Sequence, residues 1–430
     1  MRWASRKSSD LSRKALVLLG LGWLVRPELL VSSALFIALA VIVGWKGRGW
    51  RQSLSQIAWA FTVPLAYQGF RMGYYGMLTS NPAIAKEGSQ LWWEQGWQYL
   101  LDFLRPYGME IPLAALVGFF YVPIVIGLFS RGRSRAALVA TVVPLTGLIH
   151  ATFIIAVGGD YVHARLLLPA LFATLAPACV VPVNRQFAGV LVVVPLWAAV
   201  CGLFLRPGGR EWSSGEPFTR AHVFDALTLG DVGYGPVGVQ PRWLDGAGLY
   251  LQPTFLPDST TKVPVPTSAS VPVVAVRAIG LTGYSYGVAV DILDLHGLAD
   301  PLTSHLLLET RGYPGHEKTP PAPWIAARLF DRPELPLAQQ ILLPDQVSLG
   351  EDNPVGIEFL EQTRWAEAAL ACPAMQRLQQ ASRDRLSWSR FISNIWESPR
   401  NTVMRWPENP RDAYHEFCGE GEPREVASLY

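Results

Sequence analysis

Gly158-Gly159-Asp160-Tyr161-Val162-His163-Ala164-Arg165 gathers a carboxylate, an imidazole and a guanidinium between two apolar runs, Ala136 to Val157 and Leu166 to Val181. Charge at a membrane boundary is costly unless it faces water, a partner or a ligand. The paired glycines let the backbone turn tightly and approach a ligand closely. Such a set could remove a proton, orient a sugar or hold an anion. A polar interhelical loop with a local Asp–Arg pair is the equally weighted structural alternative. Arg26-Pro27-Glu28 is a second charged patch in apolar surroundings, and its two charges could bind a ligand or simply pair with each other. Arg71 and Lys86 are cations beside an apolar, aromatic stretch, an arrangement that suits a lipid-linked phosphate. The same two side chains could equally snorkel to headgroups.

Elements that position these residues follow from hydropathy. The chain has 430 residues, half of them hydrophobic and 16% charged, with a formal net charge of +2. That charge, and the absence of a basic cluster with interleaved aromatics, argues against a nucleic-acid partner. Apolar segments fall at 15–25, 29–45, 54–70, 111–129, 136–157, 166–183 and 187–205. Beyond residue 206 no run approaches the roughly 20 residues a spanning helix needs. The basic tail, Lys46 to Arg51, Arg131 to Arg135 and Asn184-Arg185 then mark the cytoplasmic side. The sequence therefore predicts a polytopic helical membrane bundle over 1–206, an outward aromatic loop at 71–110, and an extracytoplasmic α/β domain over 207–430. The basic N-terminus lacks a small-residue cleavage site and reads as an uncleaved segment. Its apolar run ends at Arg26-Pro27-Glu28, where proline predicts a short or broken helix.

Within the outward loop, Trp93, Trp97 and Leu100 share a helical face, which predicts an amphipathic interfacial helix. The exported part turns to short Val/Ile patches with Gly and Pro, then to a helical portion around Trp365 to Ile395. Cys179 and Cys201 lie in apolar runs and read as packing. Cys372 and Cys418 lie in the part placed outside the cytoplasm, where a disulfide persists, and are expected to pair. No Walker A loop, H-E-x-x-H or G-x-S-x-G occurs, and the seven histidines show no zinc spacing. Asp291 to Leu302 and Gly315-His316-Glu317-Lys318 gather polar residues among glycines, more often a sign of turns than of a site.

G-G-D-Y-V-H-A-R-L-L-L-P resembles the hallmark of actinobacterial GT-C membrane arabinofuranosyltransferases, in particular those acting at arabinan termini. Arg26-Pro27-Glu28, R-M-G-Y-Y, N-P-A-I-A-K, G-W-Q-Y-L, D-L-H-G-L-A-D-P-L and G-H-E-K follow the same order. The resemblance implies a polytopic GT-C bundle with an extracytoplasmic domain, in the plasma membrane. It implies transfer of arabinofuranose from decaprenylphosphoryl arabinose to terminal positions of arabinan in arabinogalactan and lipoarabinomannan. Arg71, Lys86 and Arg165 would bind the donor phosphate; Arg26, Asn81, His163, Asp294, His316 and Lys318 would orient substrate. It implies no definite cofactor and leaves a divalent cation open. The family's catalytic aspartate lies in the first outward loop. This chain has no acid in such an early loop except Glu28, so missing N-terminal helices are expected, and Asp160 or Glu28 becomes the candidate base. The other reading is a truncated, non-catalytic membrane protein whose exported part binds arabinan or another envelope partner.

Overall fold

Long apolar stretches without breakers form helices because hydrophobic side chains cover a backbone that satisfies itself. The computed structural model of the chain describes residues 12–44, 50–88, 90–160, 164–176, 190–205, 273–276, 291–309, 312, 317–329 and 354–419. These residues are mostly helical. They fall into two units: residues 1–68 with 90–233, and residues 69–89 with 234–430. The expected divide at residues 206–207 lies outside the described residues.

The first unit holds α1 (Arg13–Gly20), α2 (Gly22–Val25), α3 (Leu29–Gly44) and most of α4 (Trp50–Tyr75). Ser12 caps α1, its hydroxyl accepting from the Ala15 amide at 3.2 Å. The helix breaks at Leu21, and α2 stops at extended Arg26, so the proline patch ends the first apolar run as expected. A Cβ on Gly20 would meet the Ala60 carbonyl at 1.7 Å, which is what lets α1 and α4 touch backbone to backbone. Leu16, Ile37 and Ala60 form the core there.

Past the second unit's insertion, the first unit resumes with α6 (Trp93–Leu104), α7 (Glu110–Ala115), α8 (Val122–Ser130), α9 (Ser134–Ala156), α10 (Leu168–Leu175) and α11 (Val190–Val200). A π-helical turn over Leu116–Tyr121 joins α7 to α8. Two helical runs of 21 residues, Glu110–Ser130 and Ala136–Ala156, are long and apolar enough to cross a membrane among the described residues. Leu29–Ile42 and Pro195–Leu205 are shorter apolar helices. On α6 the tryptophans Trp93 and Trp97 are exposed, while Gln95, Gly96, Tyr99 and Phe103 turn inward. Tyr99 and Phe103 pack with Ile154, Ala164 and Leu167.

The second unit begins with the end of α4 and with α5 (Asn81–Ala85). Its strands β1 (Val273–Val276) and β2 (Asp291–Asp294) pair in parallel, Val273 opposite Asp291 and Val276 opposite Asp294. Helices α12 (Pro301–His305), α13 (Ala322–Leu329), α14 (Pro354–Leu370), α15 (Pro373–Arg383), α16 (Trp388–Val403) and α17 (Pro410–Cys418) follow. Their core holds Met77, Ile84, Leu302, Leu306, Trp324, Met375, Leu378 and Trp406. Two residues of that core, Met77 and Ile84, come from the 69–89 stretch, so this half of the aromatic loop is built into the second unit. Cys372 and Cys418 form a disulfide that ties the start of α15 to the end of α17, with Cα atoms 5.5 Å apart.

Candidate functional site

The Gly-Gly-Asp stretch begins where α9 ends. Val157 closes the helix, and the Gly158 and Gly159 amides donate back to Ile155 and Ile154 carbonyls at 3.2 and 2.9 Å. Both glycines take left-handed backbone, with φ of +95° and +75°. Their lack of a side chain is also steric. A Cβ on Gly158 would sit 2.9 Å from the Trp92 ring, and one on Gly159 would sit 2.4 Å from the Tyr99 ring. The chain then delivers Asp160 into a nearly closed environment, 1% exposed.

Tyr99 braces this turn at both ends. Its ring lies against Gly159, and its phenol oxygen accepts from the Leu166 amide at 3.1 Å. Helix α6 can come this close because Gly96 has no Cβ; one there would meet the Ile155 carbonyl at 1.7 Å. The Trp92 amide also donates to the Ala156 carbonyl, at 2.6 Å. From α9, His150 Nε2 lies 3.1 Å from the Leu166 carbonyl, so that nitrogen carries the proton.

Charges converge on this turn. Arg165 pairs with the Asp160 carboxylate and is itself half exposed. Arg26 pairs with Glu28, whose side chain is largely buried. Burial pushes the Tyr99 phenol far above its usual range, and Asp160, Arg165 and Arg26 all lie within electrostatic reach of it. Asp160 Oδ1 accepts no hydrogen bond among the described residues. A buried carboxylate with an open lone pair beside half-exposed guanidinium can accept a proton while the cation holds an anion. Tyr99 is not singled out by the sequence, which places it only within the outward aromatic loop at 71–110. His163 lies outside the described residues.

The second unit holds Arg71, Lys86, Asn81, Asp294 and Lys318. Arg71 donates to the Leu78 carbonyl, closing the turn after α4. Lys86 caps the C-terminus of α5 and is half-buried. Asn81 donates its side-chain amide to the Ala299 carbonyl at 3.3 Å. Asp294, fully buried, accepts from the His296 and Ala299 amides at 3.0 and 2.8 Å. Burial raises its pKa, and these amides oppose the rise. Asp294 thus shapes the loop before α12 and would reach a substrate only through that loop.

Lys318 is likewise inside, 1% exposed. Its ammonium pairs with the Glu87 carboxylate and donates to the Leu306 carbonyl. Burial lowers its pKa, and Glu87 counteracts this. Glu87 holds φ at +51°, a left-handed conformation uncommon for a residue with a side chain. His316 lies outside the described residues. Asp300, which the sequence places only within the polar Asp291 to Leu302 patch, is hydrogen-bonded on both carboxylate oxygens. It caps α12 through the Thr303 amide at 2.8 Å and takes both Arg328 guanidinium nitrogens at 2.7 and 2.9 Å. An Asp-Pro pair opening a helix was the available signal. Arg165 thus belongs to the first unit, Arg71 and Lys86 to the second. Among the described residues no group of three or more His, Cys, Asp or Glu side chains converges as a metal site would.

A polar turn between apolar helices, joined to a helical unit with a small parallel strand pair, is the arrangement; the proteins this chain is similar to are glycosyltransferases. They are terminal β-(1→2)-arabinofuranosyltransferases. The one from Corynebacterium glutamicum is 28% identical over 447 aligned positions, covering 93% of this chain and 61% of that protein. The one from Mycobacterium tuberculosis is 29% identical over 460 positions, covering 91% of this chain and 68% of that protein. The chain thus spans about three-fifths of the first relative's length and two-thirds of the second's. No family model matches the chain. No solved structure matches it either.

Proposed function

We propose that the chain transfers arabinofuranose from decaprenylphosphoryl arabinose to terminal positions of cell-wall arabinan, in arabinogalactan and lipoarabinomannan. The observation carrying this is the similarity to two terminal β-(1→2)-arabinofuranosyltransferases over more than nine-tenths of the chain. On this reading the chain is a multi-pass plasma-membrane protein of GT-C type with its C-terminal part extracytoplasmic. The two long apolar helices support the membrane placement.

The first unit's turn supports the following chemistry. The acceptor hydroxyl gives its proton to a carboxylate, its oxygen bonds to the anomeric carbon, and the bond from that carbon to the phosphate oxygen breaks. Decaprenyl phosphate leaves. Asp160 is the candidate base, with its open Oδ1, and Glu28 the second. Charge develops on the leaving phosphate; Arg165 would offset it, with Arg26 a substrate-orienting candidate. The Tyr99 phenol, kept neutral by burial, is a donor rather than a competing anion. Arg71 and Lys86 are the further donor-phosphate candidates, and Asn81 a substrate-orienting one.

The test is transfer from labelled decaprenylphosphoryl arabinose to a short arabinan, using membranes that carry this chain. Wild type should exceed empty membranes, and Asp160→Asn should fall to background while inserting normally. Wild-type rates in Asp160→Asn would refute the base assignment. Background transfer by an inserted wild-type chain, not restored by co-expressing N-terminal helices of a full-length relative, would refute the enzymatic reading and favour arabinan binding without catalysis.

A further inference from the structure

Helix α16 is amphipathic the wrong way round for a helix in water. Its inward face is polar: Asn394, Ser398 and Asn401 are all buried. Its outward face carries Trp388, Ile392, Trp396 and Val403, exposed by 82, 50, 80 and 73%. At 100° per residue these four fall within about 80° of arc, one continuous stripe. Scattered apolar side chains on a surface need no explanation, but a continuous stripe with two nearly bare indoles does.

The buried polar face has a specific job. Asn394 Nδ2 donates to the Gly73 carbonyl at 2.9 Å, and Asn401 Nδ2 to the Gly76 carbonyl at 3.0 Å. Arg390 adds a bond to the Tyr74 carbonyl at 3.1 Å. Phe391 packs on Gly73, where a Cβ would lie 2.4 Å from its ring. These contacts satisfy the carbonyls left open where α4 ends. They also fix α16 against a helix end whose own Phe70, Tyr74 and Tyr75 are exposed, Phe70 stacked on Tyr74 and Tyr75 meeting Tyr74 edge-on. Residues 54–70 of that helix are one of the apolar segments, and Tyr and Trp gather where such segments leave the bilayer. Helix α16 is thus bonded to the end of α4 that carries these aromatics. Its edges carry exposed Arg385, just before the helix, and exposed Arg400, beside Trp396. Cations at that position complement anionic phospholipid headgroups.

We infer that α16 is an interfacial helix that lies in the outer headgroup region of the bilayer, with Trp388, Ile392, Trp396 and Val403 turned into the lipid and Arg385 and Arg400 on the phosphates. Indole suits this depth because its ring is apolar and its N–H still finds a partner. The lipid surface holds α16, and through Asn394 and Asn401 it holds the turn at residues 73–76 that leads to Asn81 and Lys86. The inference rests on the membrane reading above.

Nitroxide labels on the full chain in phosphatidylcholine–phosphatidylglycerol vesicles test it. Single cysteines are placed by Ile392→Cys, Trp396→Cys, Ser393→Cys and Glu397→Cys, with Cys179 and Cys201 changed to serine and the disulfide kept. Labels at 392 and 396 should collide several-fold more with oxygen than with a water-soluble nickel chelate, and labels at 393 and 397 the reverse. Equal, nickel-dominated exposure at all four positions would overturn the inference. Labels at 392 and 396 shielded from both reagents would also overturn it, pointing to a second copy or a protein partner. A control label from Ile126→Cys, on the 61% exposed face of the Glu110–Ser130 run, separates the two readings. An oxygen-rich control with water-exposed α16 refutes the inference alone; a water-exposed control refutes the membrane reading as well.

Discussion

Lys318→Met isolates the ion pair that fastens residues 69–89 to the rest of the second unit. Lys318 is 1% exposed and Glu87 6%, so neither charge is screened by water. Methionine keeps the length and most of the volume of the stem. What it removes is the ammonium that pairs with Glu87 and donates to the Leu306 carbonyl. Breaking a buried pair by deleting one partner costs about 3–5 kcal/mol, because the other charge is left stranded. Adding Glu87→Gln removes the stranded charge, and exchange of a buried pair for neutral groups is about neutral. The double variant should therefore regain most of the loss. The assay is chemical unfolding of the full chain in micelles, followed by near-ultraviolet circular dichroism, for wild type, both single variants and the double. A loss under about 1 kcal/mol in Lys318→Met would refute the argument, since exposed pairs are worth that much. A double variant no more stable than the single one would refute it equally.

Three further outcomes follow from local geometry. His305 is fully buried with both ring nitrogens facing carbonyls, at 2.6 Å for Pro301 and 2.9 Å for Asn401, and burial lowers its pKa from 6.5 to about 4. A depressed folded pKa gives stability that is present above pH 6.5 and is lost as pH falls through 4, in total about 3 kcal/mol; thermal melts across that window should show the decline, and His305→Gln should flatten it. Gly159→Ala must strain a φ of +75° and push its methyl into the Tyr99 ring, so transfer should fall at least tenfold while insertion persists; near wild-type transfer would show that the ring can yield. Removing the disulfide with Cys372→Ser and Cys418→Ser opens a link 46 residues apart and should cost about 4 kcal/mol in the chain-entropy model, read as a lowered unfolding midpoint that reducing agent reproduces in wild type.

Much of this arrangement was legible in the sequence, because it depends on interactions between neighbours in the chain. The break at Arg26-Pro27-Glu28 follows from proline. The reversal at Gly158-Gly159 follows from glycine between apolar runs, and the amphipathic α6 from its spacing. What the sequence reading missed depends on distant partners. By sequence Tyr99 is only one residue of the aromatic loop; Gly159 and Leu166 against it give it its bracing role. For Asp294 and Lys318 the residues suggest turns and the resemblance implies substrate contact. Both are buried, one holding a loop and the other held by Glu87.

Local physics thus determined which segments of this protein are helical and apolar, where they break, and which charged residues sit among them. Tertiary structure alone decided that Tyr99 braces the Gly158-Gly159 turn, that residues 69–89 fold with the second unit, and that α16 turns its asparagines in and its tryptophans out. The reason is that helical spacing places two faces on a helix but does not say which one is buried. On α16 open carbonyls at residues 73–76 outbid hydrophobicity for the inner face, and no window of sequence around Trp388 contains them.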